Sequence, residues 1–382
     1  MKKILAIGMV LIIVCTMFAG CGASSKSSKG FEIALITDKG NIDDKSFNQG
    51  SWEGLEKFSK ENNLTHKYYK PEEASDAGYL AAIDLAVTGG AKVIVTPGFL
   101  FEIPVYQAQT KYPEVKFILL DGVPHKSEKD YTPDIKANVA SIKYAEQEPG
   151  YLAGYAAVSD GMTKLGFMGG MAVPAVQAYG YGYLQGAEAA ASKLGLADGS
   201  VSVTYHYTGD FAETDTNKAT AKTIFQEGAE VIFACGGAVG KSVMSAAREA
   251  GKKVIGVDVD QRYDSDTVVT SAMKELGGSV YQVLASIYKE NKWATYSGKT
   301  TTFDSKNNGI GLPTSVIGDN KADAFDRFTK FKKSDYEAVY ATLKDGTVKP
   351  VNTIKVAAKT GYATSEELTS QLNLKKIKVT TR

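Results

Sequence analysis

The chain has 382 residues and carries 44 Lys and Arg against 43 Asp and Glu. That balance argues against a broad nucleic-acid-binding face, which needs clustered positive charge. At 43% hydrophobic and 23% charged it is not a disordered or fibrous chain, and its length suits roughly two domains.

Lys2 and Lys3 precede an apolar run, Ile4 to Phe18. The run is too short to span a bilayer, which takes about 20 residues, so residues 1–20 read as a secretory leader. Phe18-Ala19-Gly20-Cys21 resembles the bacterial lipobox, with Phe18 where Leu is usual. That resemblance implies cleavage before Cys21 and a lipid anchor, such as palmitate, on its sulfur; the alternative is a plain cleaved signal peptide. Residues 21–30 are small and polar and read as a flexible tether. Cys15 falls in the leader, so Cys235 has no disulfide partner and reads as a buried small hydrophobe.

Beyond the tether, β-branched runs alternate with helical stretches. Strands are predicted at 32–37, 67–69, 92–96 and 116–120, with helices at 45–62, 76–88 and 104–111. The pattern then repeats. Strands are predicted at 165–168, 201–207, 231–235, 254–257 and 268–272, with helices at 176–194, 217–227 and 241–250. This is an α/β chain with two Rossmann-like lobes of parallel sheet. Residues 93–98 parallel 231–236, and 117–121 parallel 254–258. Helical spacing recurs at 334–343; the Lys-rich end, 374–381, is left unassigned.

Ligands of open parallel sheets bind beyond the carboxyl ends of the strands. Two such edges facing each other make a cleft that a hinge can close. The residues following the strands are Asp38, Gly98, Asp121, Gly170, Phe211, Gly236, Gly237, Asp258 and Lys274. Phe47 opens the first helix beside the same edge, and Asp43, Asp44 and Ser46 are natural N-caps for it.

That set holds carboxylates, aromatics, glycines and one lysine, without a nucleophile and its base. His66, His125 and His206 are scattered, without metal-ligand spacing. Residues 235–242 nearly match a phosphate-binding loop, but Cys235 replaces the first glycine. Only four basic residues are Arg (Arg248, Arg262, Arg327, Arg382), which disfavours a strongly anionic ligand. Carboxylates suit neighbouring hydroxyls, and paired Phe rings suit a flat ring between them. A ribose joined to a purine asks for both. Equally, Phe47 and Phe211 suit lobe core, and the aspartates suit helix caps.

Thr37-Asp38-x-Gly40-x-Ile42-Asp43-Asp44-Lys45-Ser46-Phe47-Asn48 resembles the signature of the basic membrane protein family. So do Gly256–Gln261, Thr270–Lys274 and Asn307–Leu312. The resemblance covers residues 31–318. It implies a type I periplasmic-binding-protein-like fold with three hinge crossings: lobe 1 at 31–142 plus 275–305, lobe 2 at 143–274 plus 306–345, and a C-terminal extension, 346–382, without an assigned role. It implies a lipid-anchored, extracytoplasmic, monomeric receptor, not an enzyme, serving an ABC permease and its ATPase, without cofactor or metal. Phe47 and Phe211 would stack on the base, and Asp38, Asn48 and Asp121 would contact it. Asp258 and Lys274, with Gly236 and Gly237, would hold the ribose; Asp260 is a rival to Asp258. Riboflavin or a sugar is an alternative ligand. An adhesive surface lipoprotein and a nucleoside-processing enzyme are alternatives of other classes.

Overall fold

In a computed structural model, residues 30–315, 323–355 and 362–382 are described. The leader, Cys21 and all of the tether except Gly30 lie outside them.

The first sheet contains β1 (Ile33–Ile36), β2 (His66–Tyr69), β3 (Val93–Pro97), β4 (Lys116–Leu120), β7 (Val139–Tyr144) and β13 (Lys299–Phe303). Its strand order is β13-β7-β4-β3-β1-β2, and every pairing is parallel. Burial on both faces explains why Ile33–Ile36 and Val93–Pro97 are buried at every position. Helices α1 (Phe47–Glu61), α2 (Asp76–Thr88) and α3 (Glu102–Lys111) follow β1, β2 and β3. A short antiparallel pair, β5 (His125–Ser127) and β6 (Asp130–Pro133), interrupts the run after β4.

The second sheet repeats the plan. It contains β8 (Lys164–Gly169), β9 (Val201–Tyr207), β10 (Val231–Cys235), β11 (Lys253–Asp258), β12 (Val268–Lys274), β14 (Ile310–Gly311) and β15 (Ile377–Thr381). The order is β14-β12-β11-β10-β8-β9-β15. β10 and β11 therefore occupy the places of β3 and β4, as the paired segments 93–98/231–236 and 117–121/254–258 anticipated. The helices here are α4 (Gln147–Ser159), α5 (Pro174–Lys193), α6 (Asp215–Gln226) and α7 (Val239–Ala250). After them come α8 (Leu276–Tyr288), which packs on α1, then α9 (Lys333–Lys344) and α10 (Ser365–Ser370).

The chain passes between the sheets after β7, after β12 and between β13 and β14. The Lys-rich end adds a parallel edge strand: β15 pairs with β9, Ile377 opposite Val201.

Glycines set how closely two of these helices approach. A Cβ on Gly150 or Gly154 of α4 would lie 2.2 and 2.0 Å from the carbonyl oxygens of Tyr179 and Tyr183 on α5. Reciprocally, a Cβ on Gly182 or Gly186 would lie 2.0 and 1.9 Å from the carbonyls of Gln147 and Tyr151. The two backbones touch through this four-glycine seam, and Tyr179 and Tyr183 are buried beside it.

Candidate functional site

In each sheet the strand order reverses beside its first strand, at β1/β3 and at β8/β10. Loops leaving such a pair diverge and open a crevice at the carboxyl ends. The two crevices face each other and enclose a cavity of about 290 Å³, near the lower end of small-molecule sites, about 300–1,000 Å³. Asp38, Phe47, Asn48, Asp121, Phe211, Gly236, Gly237, Asp258 and Lys274 all line it. The structure brings these nine residues, which the sequence scatters between positions 38 and 274, around one cavity, while Gly170, also expected at the cleft, does not line it.

Asp38 and Asn48 form one polar group. Asn48 Nδ2 donates to Asp38 Oδ1 at 2.8 Å and to Asp44 Oδ2 at 3.0 Å, while its Oδ1 accepts from the Asp38 N–H at 3.2 Å. The Asn48 amide is thus largely committed within the protein, holding Asp38 and the start of α1. Asp38 Oδ1 also accepts from the Gly40 N–H at 2.9 Å. Burial raises the Asp38 carboxyl to about 6, against the lowering effect of its Gly40 and Asn48 hydrogen bonds.

Ser46 occupies the N-cap position of α1, but its side chain does not cap. Asp44 does: its carboxylate accepts from the N–H groups of Ser46 (2.8 Å), Asn48 (3.0 Å) and Gln49 (3.1 Å). Ser46 Oγ is thereby available to the other lobe and donates to Asp258 Oδ2 at 2.5 Å.

The second polar group surrounds Lys274. Its ammonium hydrogen-bonds Asp121 Oδ2, lies 3.2 Å from Glu146 Oε1 and 4.0 Å from Asp258 Oδ1. The rings of Phe47, Tyr144 and Tyr179 stand 4.8, 5.3 and 5.5 Å from it. Its side chain is only 2% exposed. Burial by itself would lower the Lys274 pKa; the three carboxylates outweigh it and hold the pKa above its usual value. Glu146 rises to about 7, chiefly through burial, with Lys274 opposing. Burial also raises Asp258, against Lys274 and the Ser46 hydrogen bond.

Sequence reasoning missed Glu146, Tyr144 and Tyr179. Glu146 sits just beyond β7, so the rule that found Asp38 and Asp121 would have found it had that strand been assigned. The rival Asp260 does not line the cavity. It pairs with buried Arg262, whose Nη2 lies 2.6 Å from Asp260 Oδ2 and also donates to Ser315 O at 2.9 Å.

The aromatics come from opposite lobes. Phe47 opens α1, and Phe211 lies in the loop after β9. Both are half-buried. Gly170 makes room for Phe211: a Cβ there would lie 2.5 Å from the ring. Gly236 allows close backbone approach, since its Cβ would lie 2.7 Å from Gly170 N. Cys235 is 1% exposed and ends β10 at the cavity wall.

The phosphate-loop-like stretch is used differently. Ser242 Oγ accepts from the Thr214 N–H at 3.1 Å and donates to Thr214 O at 3.0 Å. Lys241 Nζ crosses to Asp43 O at 3.4 Å. Another crossing contact, Gln261 Nε2 to Lys45 O at 2.7 Å, also joins the lobes. None of the four arginines lines the cavity.

A family model described as "ABC transporter substrate-binding protein PnrA-like" matches residues 31–344. The chain is 32% identical over 356 residues to a protein of Lactococcus lactis subsp. cremoris named "ABC transporter nucleoside-binding protein BmpA", covering 85% of this chain and 95% of that one. It is 30% identical to "Basic membrane protein A" of Borreliella burgdorferi, covering 83% and 87%. A crystal structure of an ABC transporter solute-binding protein from Aeropyrum pernix K1 superposes with a TM-score of 0.72 at 23% identity, covering 85% of this chain and 94% of that one. One from Conexibacter woesei gives 0.62 at 22% identity, covering 84% and 98%. These two likenesses show the two-lobed solute-binding-protein fold.

Proposed function

This chain belongs to the PnrA-like family of ABC transporter substrate-binding proteins, and from that premise we propose that its interlobe cavity captures a nucleoside, purine nucleosides first. The cavity lining carries the reading. Phe47 and Phe211 supply aromatic faces from opposite lobes, and two polar groups accompany them. Asp38, with a carboxyl near 6, suits a ring N–H or a ring nitrogen that shares its proton. Asp258 and Lys274 suit the neighbouring hydroxyls of a ribose; Asp121, expected at the base, is hydrogen-bonded to Lys274, which favours moving it to the ribose end. The relative named as nucleoside-binding supports the same ligand class. The lining offers no arginine for a phosphate, which favours nucleosides over nucleotides.

In this proposal the chain binds ligand without transforming it and, as a monomer, hands it to an ABC permease powered by its ATPase. Substrate-binding proteins of ABC systems work outside the cytoplasm. No helix among the described residues is long and apolar enough to cross a membrane. We assign attachment to a lipid on Cys21. Loss of palmitate labelling and release from the membrane fraction in Cys21→Ala would support that assignment; unchanged attachment would remove it.

The ligand is tested by thermal unfolding against adenosine, guanosine, inosine, free bases, ribose, other sugars and riboflavin. A ligand at about 100 times its Kd adds about 2.7 kcal/mol to the folded state, a shift of several degrees. A shift with purine nucleosides and none with ribose is expected. A shift with riboflavin or a sugar alone would replace the ligand. No shift with any of them, for protein shown by mass spectrometry to carry no copurified ligand, would favour an adhesive surface lipoprotein.

A further inference from the structure

The C-terminal residues lie beyond the family match, which ends at 344. They are tied to the second lobe at several points. Gln185 on α5 donates from Nε2 to Val351 O at 2.9 Å and accepts from the Val351 N–H at 2.7 Å. Glu188, one turn on, accepts from the N–H groups of Lys375, Lys376 and Ile377 at 2.9–3.1 Å. β15 then extends the sheet beside β9. Gln177 Nε2 donates to Ala363 O at 2.6 Å, next to Val176 of the cavity lining.

From this second-lobe mooring, Tyr362 reaches the first lobe. Its ring meets Phe99 edge-on, with centroids 6.3 Å apart and planes at 86°. Phe99 lines the ligand cavity and begins a 3₁₀ turn, Phe99–Phe101, held by the Phe101 N–H to Gly98 O. Burial raises the Tyr362 hydroxyl to about 12, with further contributions from Tyr131, Glu102 and Glu128, all in the first lobe. Tyr362 is therefore fixed to one lobe through its backbone neighbour and packed on the other through its ring.

We propose that Tyr362 is a positioning residue for the ligand cavity, seating Phe99 at the cavity rim and clasping the two lobes there when they close. An edge-to-face pair of this kind is worth about two- to tenfold in an equilibrium. The contact ties residues of the two lobes together beside the cavity, so its loss acts on release more than on capture. The choice of ligand for the test rests on the nucleoside reading; the clasp itself does not.

The test uses the full chain with Tyr362→Ala and Tyr362→Phe. Stopped-flow binding of inosine, adenosine and guanosine should show the dissociation rate rising about two- to tenfold in Tyr362→Ala, with association within about twofold and a smaller rise in Tyr362→Phe, which keeps the ring. Hydrogen exchange across residues 98–101 of the ligand-free chain should quicken in Tyr362→Ala and by less in Tyr362→Phe, which keeps the ring. Unchanged dissociation and exchange in Tyr362→Ala would overturn the proposal. So would a Tyr362→Phe variant as altered as Tyr362→Ala. If the wild-type chain binds none of the three nucleosides, the nucleoside reading fails, and the exchange measurement still decides the clasp.

Discussion

Asp121 and Asp258 are equivalent residues of the two lobes, and they converge on one lysine. They follow β4 and end β11, strands with the same place in each sheet, and both take positive φ, 55° and 66°. Aspartate tolerates that conformation better than most residues, and it turns each chain sharply at the cavity. Lys274 hydrogen-bonds the first and lies 4.0 Å from the second. Asp121 belongs to one sheet and Lys274 to the other, so their bond is also a contact between lobes.

Removing Lys274 should therefore do more than weaken binding. Asp121, Asp258 and Glu146 would be left as buried carboxylates without their cation. Breaking a buried pair by removing one partner typically destabilises by about 3–5 kcal/mol. Lys274→Met should lose stability in that range in urea unfolding at pH 7.5. The loss should shrink at pH 5, where Glu146, raised to about 7, is protonated. A loss under about 1 kcal/mol at pH 7.5 would show that the cluster does not depend on its lysine.

The pH dependence of the ligand-free chain follows from the raised carboxyls. Glu146 goes from an ordinary 4.5 to about 7, and Asp38 from 3.8 to about 6. Folding favours their neutral forms. Their contribution is present below the unfolded values and is lost as pH rises through the folded ones. Stability should thus fall from about pH 4 to pH 7 on account of these groups. Glu146→Gln should flatten the upper part of that fall, near pH 7, in thermal melts. An unaltered slope would refute the assignment.

Binding should also move protons. A ligand N–H donated to Asp38 favours its ionised form, so binding near pH 6 should release protons. Calorimetry in buffers of different ionisation enthalpy reads this directly. Asp38→Asn should abolish that release; persistence of the full release would place it elsewhere.

Phe47→Ala should reduce nucleoside affinity by about 1–3 kcal/mol, the scale of base–aromatic stacking. Thermal melts of the ligand-free variant separate this from packing, because Phe47 also packs on the core and lies 4.8 Å from the Lys274 ammonium. An affinity change of only a few tenths of a kcal/mol would make Phe47 a packing residue.

The glycine seam offers a test of the fold. Gly154→Ala would set a methyl 2.0 Å from Tyr183 O, a backbone atom. Overpacking of this kind costs about 1–3 kcal/mol or more, more than the roughly 1 kcal/mol that alanine gains over glycine in a helix. Gly240→Ala, also helical, meets nothing closer than 3.9 Å and should be neutral or stabilising. Equal melting temperatures for the two variants would remove the seam as a determinant of the α4–α5 approach.

Much of this protein was legible in local pattern. Buried parallel strands announce themselves as short β-branched runs, and in open α/β sheets their carboxyl ends are where ligands sit. That alone led from the sequence to Asp38, Asp121, Gly236, Asp258 and Lys274, all in one cavity. Other features depended on partners far along the chain. β7 lacked a helix-sheet alternation to mark it, so Glu146 beside it was invisible. β15 reads as a Lys-rich tail until β9 supplies the neighbouring edge. Asp43, Asp44 and Ser46 were equal candidates to cap α1; Asp44 caps, and Ser46 bonds Asp258, 212 residues away. Strand and helix identity follows from short-range periodicity where strands and helices alternate regularly; α4, α8, β7, β13 and β15 fall outside that alternation and are not assigned by it. Which carboxylates gather around Lys274, and which residue bridges the lobes at Phe99, follows from distances set only when both sheets have formed and met.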